Sequence, residues 1–187
     1  AKRKGIDAYQ AMDRAVDRIP PGVEGLVMLP HLQGAMAPEA NPKAKGVFYG
    51  FTLKHGKAHF ARAIMESVAC IVRRNIDVLK DLGISIGEIR VLGGGARSDI
   101  WSQIKADVTG KPVVSTENEE AACLGAAILA GKAVGIYRSL DDATSKMVRI
   151  KKRFKPNLDN KKVYDTTYQK YVRLYEDLCG MFSRENE

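Results

Sequence analysis

The sequence has few of the residues that hold disulfide-rich, metal-binding or membrane proteins together. Its 187 residues include three cysteines, three histidines and one tryptophan. Cys70, Cys123 and Cys179 are odd in number, far apart and set in apolar helical patterns, so we expect buried, reduced thiols rather than disulfides or a metal site. No apolar run approaches the ~20 residues that a membrane-spanning helix needs, which predicts a chain without a membrane segment.

The N-terminus also lacks the features of a secretion signal. Residues 1–5 are basic, but an amphipathic segment over 6–19 follows them, where a signal peptide would have an apolar run. Together with the reduced thiols, this predicts a cytoplasmic protein. The sequence does not begin with methionine, which suggests the start of a fragment.

Positive charge exceeds negative charge, giving a formal net charge of +8. The positive residues are spread along the chain. Their densest cluster runs from Arg149 to Lys155, where apolar and charged positions alternate as in an exposed edge strand. We interpret this cluster as a solvated face, with a protein contact and nucleic-acid binding as the alternatives. No aromatic platform for bases accompanies it, so we expect no nucleic-acid partner.

The remaining composition is that of a globular protein with one core, with 45% apolar and 28% charged residues. Strand and helix signals alternate along the chain, which predicts an α/β fold. The predicted strands cover 25–30, 46–51, 88–92, 112–115 and 149–155. The predicted helices cover 7–19, 57–82, 98–110, 116–131 and 157–187, with a short helix capped by Ser139.

Two of these helices are expected to bury one face. In the helix over 57–82, we expect an apolar stripe against the sheet and a charged solvent face formed by Arg62, Glu66, Arg73, Arg74 and Lys80. In the last helix, tyrosines recur at helical spacing, and we interpret them as packing residues rather than a ligand site: Tyr164, Tyr168, Tyr171 and Tyr175.

The most informative stretch runs from Val91 to Trp101. An apolar run breaks into three glycines, and an amphipathic helix then begins near Ser98, so the pattern predicts a strand, a tight turn and a helix. Glycines without a Cβ let a flat or phosphate-bearing ligand approach the backbone, and a helix N-terminus favours anions. The alternative is that the glycines only permit a sharp turn.

Several motifs in order along the chain add a family resemblance to this turn. The segment from Gly93 to Val113, followed by residues 117–120 and 124–127, resembles the C-terminal domain of the FGGY carbohydrate kinases. A second signature of that family lies upstream, in Gly46, Phe48, Gly50, His59, Phe60 and residues 63–66. The resemblance covers nearly the whole chain, and within the family it is most similar to the xylulokinases.

The resemblance implies a fold and a domain organisation. FGGY kinases are similar in fold to actin and Hsp70, with two ribonuclease-H-like domains around a cleft, each a mixed sheet flanked by helices. In these kinases the N-terminal domain mainly binds the sugar and the C-terminal domain mainly binds ATP. Residues 1–187 would then form a single C-terminal domain, with a helix within 1–21 at its start and a helical extension over 157–187.

The resemblance also implies a nucleotide site at the glycine turn, formed by Gly93, Gly94, Gly95, Ala96 and Ser98. Gly94 and Gly95 would lie against the adenosine and the α-phosphate, and Ala96 would touch the base. Ser98 takes the place of an asparagine that contacts adenosine in glycerol kinases, so this position departs from the family pattern. A second departure is the loop over 34–38, where many relatives have Gly-Glu-Arg before the proline.

The chemistry implied for the whole enzyme is transfer of the ATP γ-phosphoryl group to a sugar hydroxyl, with Mg²⁺ bridging the phosphates. D-Xylulose is the expected sugar. The catalytic Asp and the sugar-binding residues of the family lie upstream of the matched part, so we expect no catalytic base and no kinase activity in this chain alone. The alternative is a non-catalytic nucleotide-binding or sugar-sensing module of the same fold, and a homodimer stays open as an assembly.

Overall fold

The computed structural model describes residues 7–118 and 120–184. Helices and strands alternate over most of this length, as the sequence predicts. The helices are α1 (Ala8–Val16), α2 (Lys57–Asp81), α3 (Asp99–Thr109), α4 (Ala121–Ala133), α5 (Leu140–Met147) and α6 (Lys161–Arg184). The strands are β1 (Val27–Pro30), β2 (Gly46–Tyr49), β3 (Ile89–Val91), β4 (Val113–Thr116) and β5 (Ile150–Phe154).

The strands form two small sheets. Strands β1 and β2 are an antiparallel pair in which Val27 lies opposite Tyr49. The second sheet is mixed and has the order β3–β4–β5: β3 and β4 run parallel, and β5 runs antiparallel to β4. The basic strand β5 therefore lies at the edge of this sheet, with most of its residues exposed. This confirms both the predicted α/β class and the predicted edge strand.

Polar side chains begin two of the helices, and a glycine ends a third. Asp7 caps α1 by accepting hydrogen bonds from the backbone N–H groups of Tyr9 and Gln10. Ser139 caps α5 in the same way through the N–H of Asp142, as predicted. Gly110 ends α3 in a left-handed conformation, which the absence of a Cβ allows at little cost. Residues 1–6 and 185–187, which belong to the predicted terminal helices, lie outside the described residues.

The main core lies between α2, α3, α6 and strand β1. The tyrosines of α6 lie in it as predicted: Tyr164, Tyr168, Tyr171 and Tyr175 are all buried. They pack with aliphatic side chains from the other elements, among them Val16, Leu29, Ile104 and Val108. The tyrosine pattern of α6 is therefore a packing surface, and it orders the C-terminal helix against the rest of the chain.

The predicted solvent face of α2 is wrong at two positions. Arg62 is 4% exposed and Glu66 is 1% exposed, whereas Ile64, assigned to the buried stripe, is 41% exposed. Helix α2 contacts α1, β1, α3 and α6. Because these elements lie close to α2, small residues are favoured on its most buried face. The buried positions of α2 are Arg62, Ala63, Glu66, Ser67, Ala69 and Cys70. The two charges are tolerated there because they bind each other.

Two expectations for the segment after β4 are also corrected. Helix α4 begins at Ala121 rather than at residue 116, because Thr116 is still paired with β5, and the first turn of α4 holds no acidic residue. Glu119, within the predicted helix over 116–131, lies outside the described residues. All three cysteines are free thiols, but Cys123 on α4 is exposed, whereas Cys70 is buried and Cys179 half-buried. Among the described residues, no helix is both long and apolar enough to span a bilayer.

Candidate functional site

The glycine turn lies at the edge of the mixed sheet where the parallel strands β3 and β4 end. Carboxyl ends of parallel strands meet at one edge, which is where open α/β sheets bind ligands. A pocket of about 70 Å³ opens there. Its lining combines the end of β3 and the glycine turn with residues from β4 and β5: Val91, Leu92, Gly93, Ala96, Arg97, Asp99, Ser115, Thr116, Asn118, Lys151 and Lys152.

The backbone of the turn leaves one side open. Gly93 has a φ of 68°, a conformation that side chains disfavour, and residues Gly94–Arg97 then form one short 3₁₀ turn closed by the Ala96 N–H donating to the Gly93 carbonyl at 3.0 Å. A Cβ placed on Gly93 or Gly94 would have no heavy atom within 4 Å. The main chain at these two glycines is therefore accessible to a ligand.

Gly95 faces the protein instead. A Cβ on Gly95 would lie 3.1 Å from Cζ3 of Trp101, so a side chain there would require the indole ring or the main chain to shift by a few tenths of an ångström. Packing against the Trp101 ring therefore favours glycine at position 95. Of the three glycines, Gly93 and Gly94 are the two whose main chain faces open space.

Ser98 is the N-cap residue of α3. Its hydroxyl oxygen accepts a hydrogen bond from the Trp101 N–H at 3.1 Å. Ser98 also hydrogen-bonds the Asp13 carboxyl from α1. Burial raises the pKa of Asp13, and the bond from Ser98 opposes this rise in pKa. Ser98 thus joins α1 to the start of α3, directly after the turn.

Charged residues flank the pocket. Nζ of Lys152 on β5 lies 2.5 Å from a carboxylate oxygen of Asp99, in the first turn of α3. Both side chains are at least half exposed, so water screens this ion pair strongly. Next to it, the Thr116 hydroxyl donates to the Asn118 carbonyl at 3.0 Å. The rim thus combines this ion pair with the Thr116 hydroxyl and with Lys151, which also lines the pocket.

The structure brings together two of the predicted site residues, Gly93 and Ala96, in the lining of this pocket. Ser115, Thr116, Asn118 and Lys152 join them, and the sequence reading did not assign these residues to a site. The sequence held a signal for two of them, Ser115 and Thr116. They end the strand that runs parallel to β3, and the carboxyl ends of parallel strands meet at one edge of the sheet, which places them beside Gly93.

His55, in the loop before α2, and His59, in the first turn of α2, have local structural roles. Nδ1 of His55 accepts a hydrogen bond from the Thr52 N–H at 2.8 Å, and Nδ1 of His59 accepts one from the Gly56 N–H at 3.1 Å. Both rings therefore fix the loop before α2. Over residues 7–118 and 120–184, no group of three or more His, Cys, Asp or Glu side chains could hold a metal ion.

Comparison with known proteins decides the family. Residues 2–134 match the model of the C-terminal domain of the FGGY family of carbohydrate kinases. The chain belongs to this family. The resemblance in the glycine turn and the upstream signature is thereby confirmed, while the roles of single residues in the turn remain predictions.

Individual FGGY relatives agree on the kinase and differ in the sugar. The chain is 31% identical over 169 residues to a xylulose kinase of Bacillus subtilis, which covers 90% of this chain and 34% of that protein. It is 36% identical over 185 residues to a gluconokinase of Bacillus licheniformis, which covers 98% of this chain and 36% of that protein. The chain thus spans about a third of the length of these relatives.

The fold comparison leads to the same family. The crystal structure of a xylulose kinase from Rhodospirillum rubrum superposes with a TM-score of 0.83 at 34% identity, over 95% of this chain and 35% of that one. The mixed α/β architecture of this FGGY domain is that of the sugar kinases, which have the actin and Hsp70 ATPase fold. This confirms the predicted fold class.

Proposed function

We propose that this chain is the nucleotide-binding domain of a kinase that transfers the γ-phosphoryl group of ATP to a sugar hydroxyl. The observation that carries the proposal is the open main chain at Gly93 and Gly94, at the edge where β3 and β4 end. A ligand that meets this surface can contact peptide groups directly, without displacing a side chain.

The surroundings of the turn suit a nucleotide. Lys151 on the rim of the pocket offers positive charge to phosphate groups, while Lys152 beside it is paired with Asp99. Gly94 and Ala96 present a flat, uncharged surface to adenosine, and Gly93 gives access to the main chain. The pocket of about 70 Å³ is far smaller than the ~300–1,000 Å³ of ordinary ligand sites. We therefore expect this domain to form one wall of a cleft that the rest of the kinase completes.

Ser98 has a limited part in this proposal. Its hydroxyl already serves the N–H of Trp101 and the carboxyl of Asp13. A contact with adenosine would have to use the remaining lone pair of the oxygen. We expect Ser98 to support the start of α3 first and the nucleotide second.

The transfer step needs groups beyond this chain. Mg²⁺ bound to ATP would neutralise charge on the β- and γ-phosphates. The described residues contain no cluster of three potential metal-binding side chains, so phosphate oxygens and the rest of the kinase are expected to hold the ion. The general base that takes the proton of the sugar hydroxyl is likewise expected outside this chain, which alone should phosphorylate no sugar.

D-Xylulose is the sugar we propose, with D-xylulose 5-phosphate as the product. The similarity to xylulose kinases in sequence and structure supports it. Gluconate is the alternative, because the gluconokinase of Bacillus licheniformis matches more of this chain at higher identity. Assay of the full-length protein with ATP and a panel of ketoses, polyols and gluconate distinguishes them, since the preferred sugar has the highest kcat/KM.

Calorimetry with ADP tests the nucleotide site itself. Gly94→Val places a branched side chain in the open space beside the turn, and we expect it to weaken ADP binding at least tenfold. Gly87→Val is the matched control, because Gly87 lies before the other end of β3 and is equally open. Equal ADP affinity of Gly94→Val and the parent chain would show that the turn is not the nucleotide site.

A further inference from the structure

The indole ring of Trp101 is the surface on which the glycine turn rests. Trp101 lies in the first turn of α3 and is half-buried. Three of its ring carbons, Cζ3, Cε3 and Cη2, lie 3.1, 3.5 and 3.8 Å from the position of a Cβ on Gly95. The ring therefore lies against the side of Gly95 from which a side chain would project.

Three contacts fix the position of Trp101. Its backbone N–H donates to the Ser98 hydroxyl oxygen at 3.1 Å, and its indole Nε1 donates to the Met65 carbonyl on α2 at 3.1 Å. On the ring face, Nζ of Lys105 lies 4.1 Å from the ring centroid in a cation–π contact. The ring is thus tied to α2 as well as to α3, and α2 is the longest helix of the described chain.

Trp101 is not part of the pocket beside the turn, whereas Gly93 and Ala96, on either side of Gly94 and Gly95, line it. The ring contacts the protein side of the turn, and the open side faces the pocket. A residue in this arrangement acts on a ligand through the main chain that it supports. This separation lets its role be distinguished from direct contact.

We propose that Trp101 is a positioning residue of the nucleotide site: its ring sets the main-chain position of Gly95 and thereby the surface that Gly93, Gly94 and Ala96 present to the nucleotide. The proposal rests on the proposed nucleotide-binding function. It adds that the affinity for nucleotide depends on an aromatic ring that the nucleotide does not touch. A residue that served only the core would affect stability and leave the affinity unchanged.

A double-mutant cycle between Gly95 and Trp101 tests this dependence. ADP affinity is measured by calorimetry at a temperature where circular dichroism shows each variant to be folded. We expect Trp101→Leu to weaken ADP binding at least tenfold and Trp101→Phe to weaken it less, because Phe keeps a ring and loses the bond to Met65. Gly95→Ala should also weaken binding, since its methyl group meets the ring.

The coupling between Gly95 and Trp101, measured in the ADP affinity, decides the proposal. In the double variant Gly95→Ala with Trp101→Leu, the smaller side chain makes room for the methyl group, so ADP should bind about as well as to Trp101→Leu alone. Tyr137→Leu is the matched control, because the ring of Tyr137 lies 2.6 Å from a Cβ position on Gly131 in a similar contact away from the turn. Its ADP affinity should stay within twofold of the parent.

Fluorescence gives a second measure of ADP binding beside the turn. Trp101 is the single tryptophan of the chain, so its emission should shift when ADP saturates the parent and should not shift in Gly94→Val. Parent-like ADP affinity in Trp101→Leu, or additive effects of the two substitutions in the double variant, would overturn the positioning role while leaving nucleotide binding intact. If neither this chain nor the full-length protein binds ADP by calorimetry, the proposed function fails first and the positioning role fails with it.

Discussion

The Arg62 guanidinium donates a hydrogen bond to the Tyr164 hydroxyl at 2.9 Å, joining residues that are 102 positions apart. The same guanidinium donates to Oε1 of Glu66 at 2.8 Å and to the Val16 carbonyl at 3.2 Å. Glu66 in turn accepts from the Gly22 N–H at 3.2 Å. One buried ion pair on α2 therefore connects the end of α1, the loop before β1 and helix α6.

Removing the cation from this network should destabilise the fold strongly. Arg62→Met leaves the Glu66 carboxylate buried without its partner, which costs about 3–5 kcal/mol in comparable cases. Urea denaturation measures the free energy of unfolding. Arg173→Met is the control, because Arg173 is highly exposed and its ion pair with Asp177 spans 3.8 Å, so its loss should stay below about 0.5 kcal/mol.

The decrease in the free energy of unfolding caused by Arg62→Met should also depend on pH. Burial raises the pKa of Glu66, and Arg62 opposes that rise in pKa. Without Arg62, the buried carboxyl takes up a proton more readily, so the destabilisation should be smaller in mildly acidic solution than at neutral pH. A loss that is equal at both pH values, or larger in acid, would contradict a charged Glu66 in the native network.

Lys105 should make stability rise with pH in the alkaline range. Burial lowers the pKa of Lys105 to about 8 from its ordinary value of 10.5. Between these pH values the unfolded chain binds more protons than the folded chain, so the free energy of unfolding increases with pH through this group. The penalty for burying the charge is fully present below pH 8.

Comparison with Lys105→Met isolates this effect from other titrating groups. The stability of the parent relative to this variant should be higher at pH 9.5 than at pH 7, as measured by urea denaturation at both pH values. Methionine keeps most of the apolar stem against Trp101. A parent-minus-variant difference that does not change with pH would mean that Lys105 titrates normally in the folded chain.

The three cysteines should differ in reactivity. Cys123 is exposed, whereas Cys70 is 1% exposed, and burial raises the pKa of the Cys70 thiol. Since the thiolate is the reactive form, a thiol reagent should modify Cys123 first in the folded chain and Cys70 only after unfolding. Mass spectrometry of timed samples locates the label. Cys123→Ser should remove the fast phase; rapid labelling of Cys70 in that variant would argue against the buried position.

The glycine at position 50 should be intolerant of a side chain. Gly50 has a φ of 83°, and a Cβ there would lie 2.9 Å from the Gly25 carbonyl oxygen. A left-handed conformation alone costs a non-glycine residue about 1–2 kcal/mol, and the backbone contact adds to it. Gly50→Ala should lower the melting temperature clearly. Gly87→Ala, in open space without a positive φ, should leave it nearly unchanged.

Much of the local structure could be predicted because its causes are local. The run from Val91 through the glycines to Ser98 specifies a strand, a turn and a capped helix within a few residues, and all three occur. The tyrosines of α6 repeat at the spacing of one helix face, and that face is buried. The family motifs identified the FGGY fold, because several motifs in one order along a chain are far more specific than a single glycine turn.

Contacts between distant segments decided the rest. Nothing near Arg62 in sequence indicates that Tyr164 and the Val16 carbonyl will satisfy its donors in the core, so its charge predicted the solvent face. Cys123 lies in an apolar helix, but α4 packs mainly on α5, which leaves the thiol exposed.

The glycine turn shows the same division. The sequence by itself determined that residues 93–95 form a turn before a helix, because glycines disfavour the continuation of a strand or helix and a serine cap begins the next helix. The tertiary structure decided that Gly93 and Gly94 face open space while Gly95 rests on Trp101. That difference arises because the indole ring lies against Gly95. The Met65 carbonyl on α2 holds the indole there, a contact that forms only when α2 packs against α3.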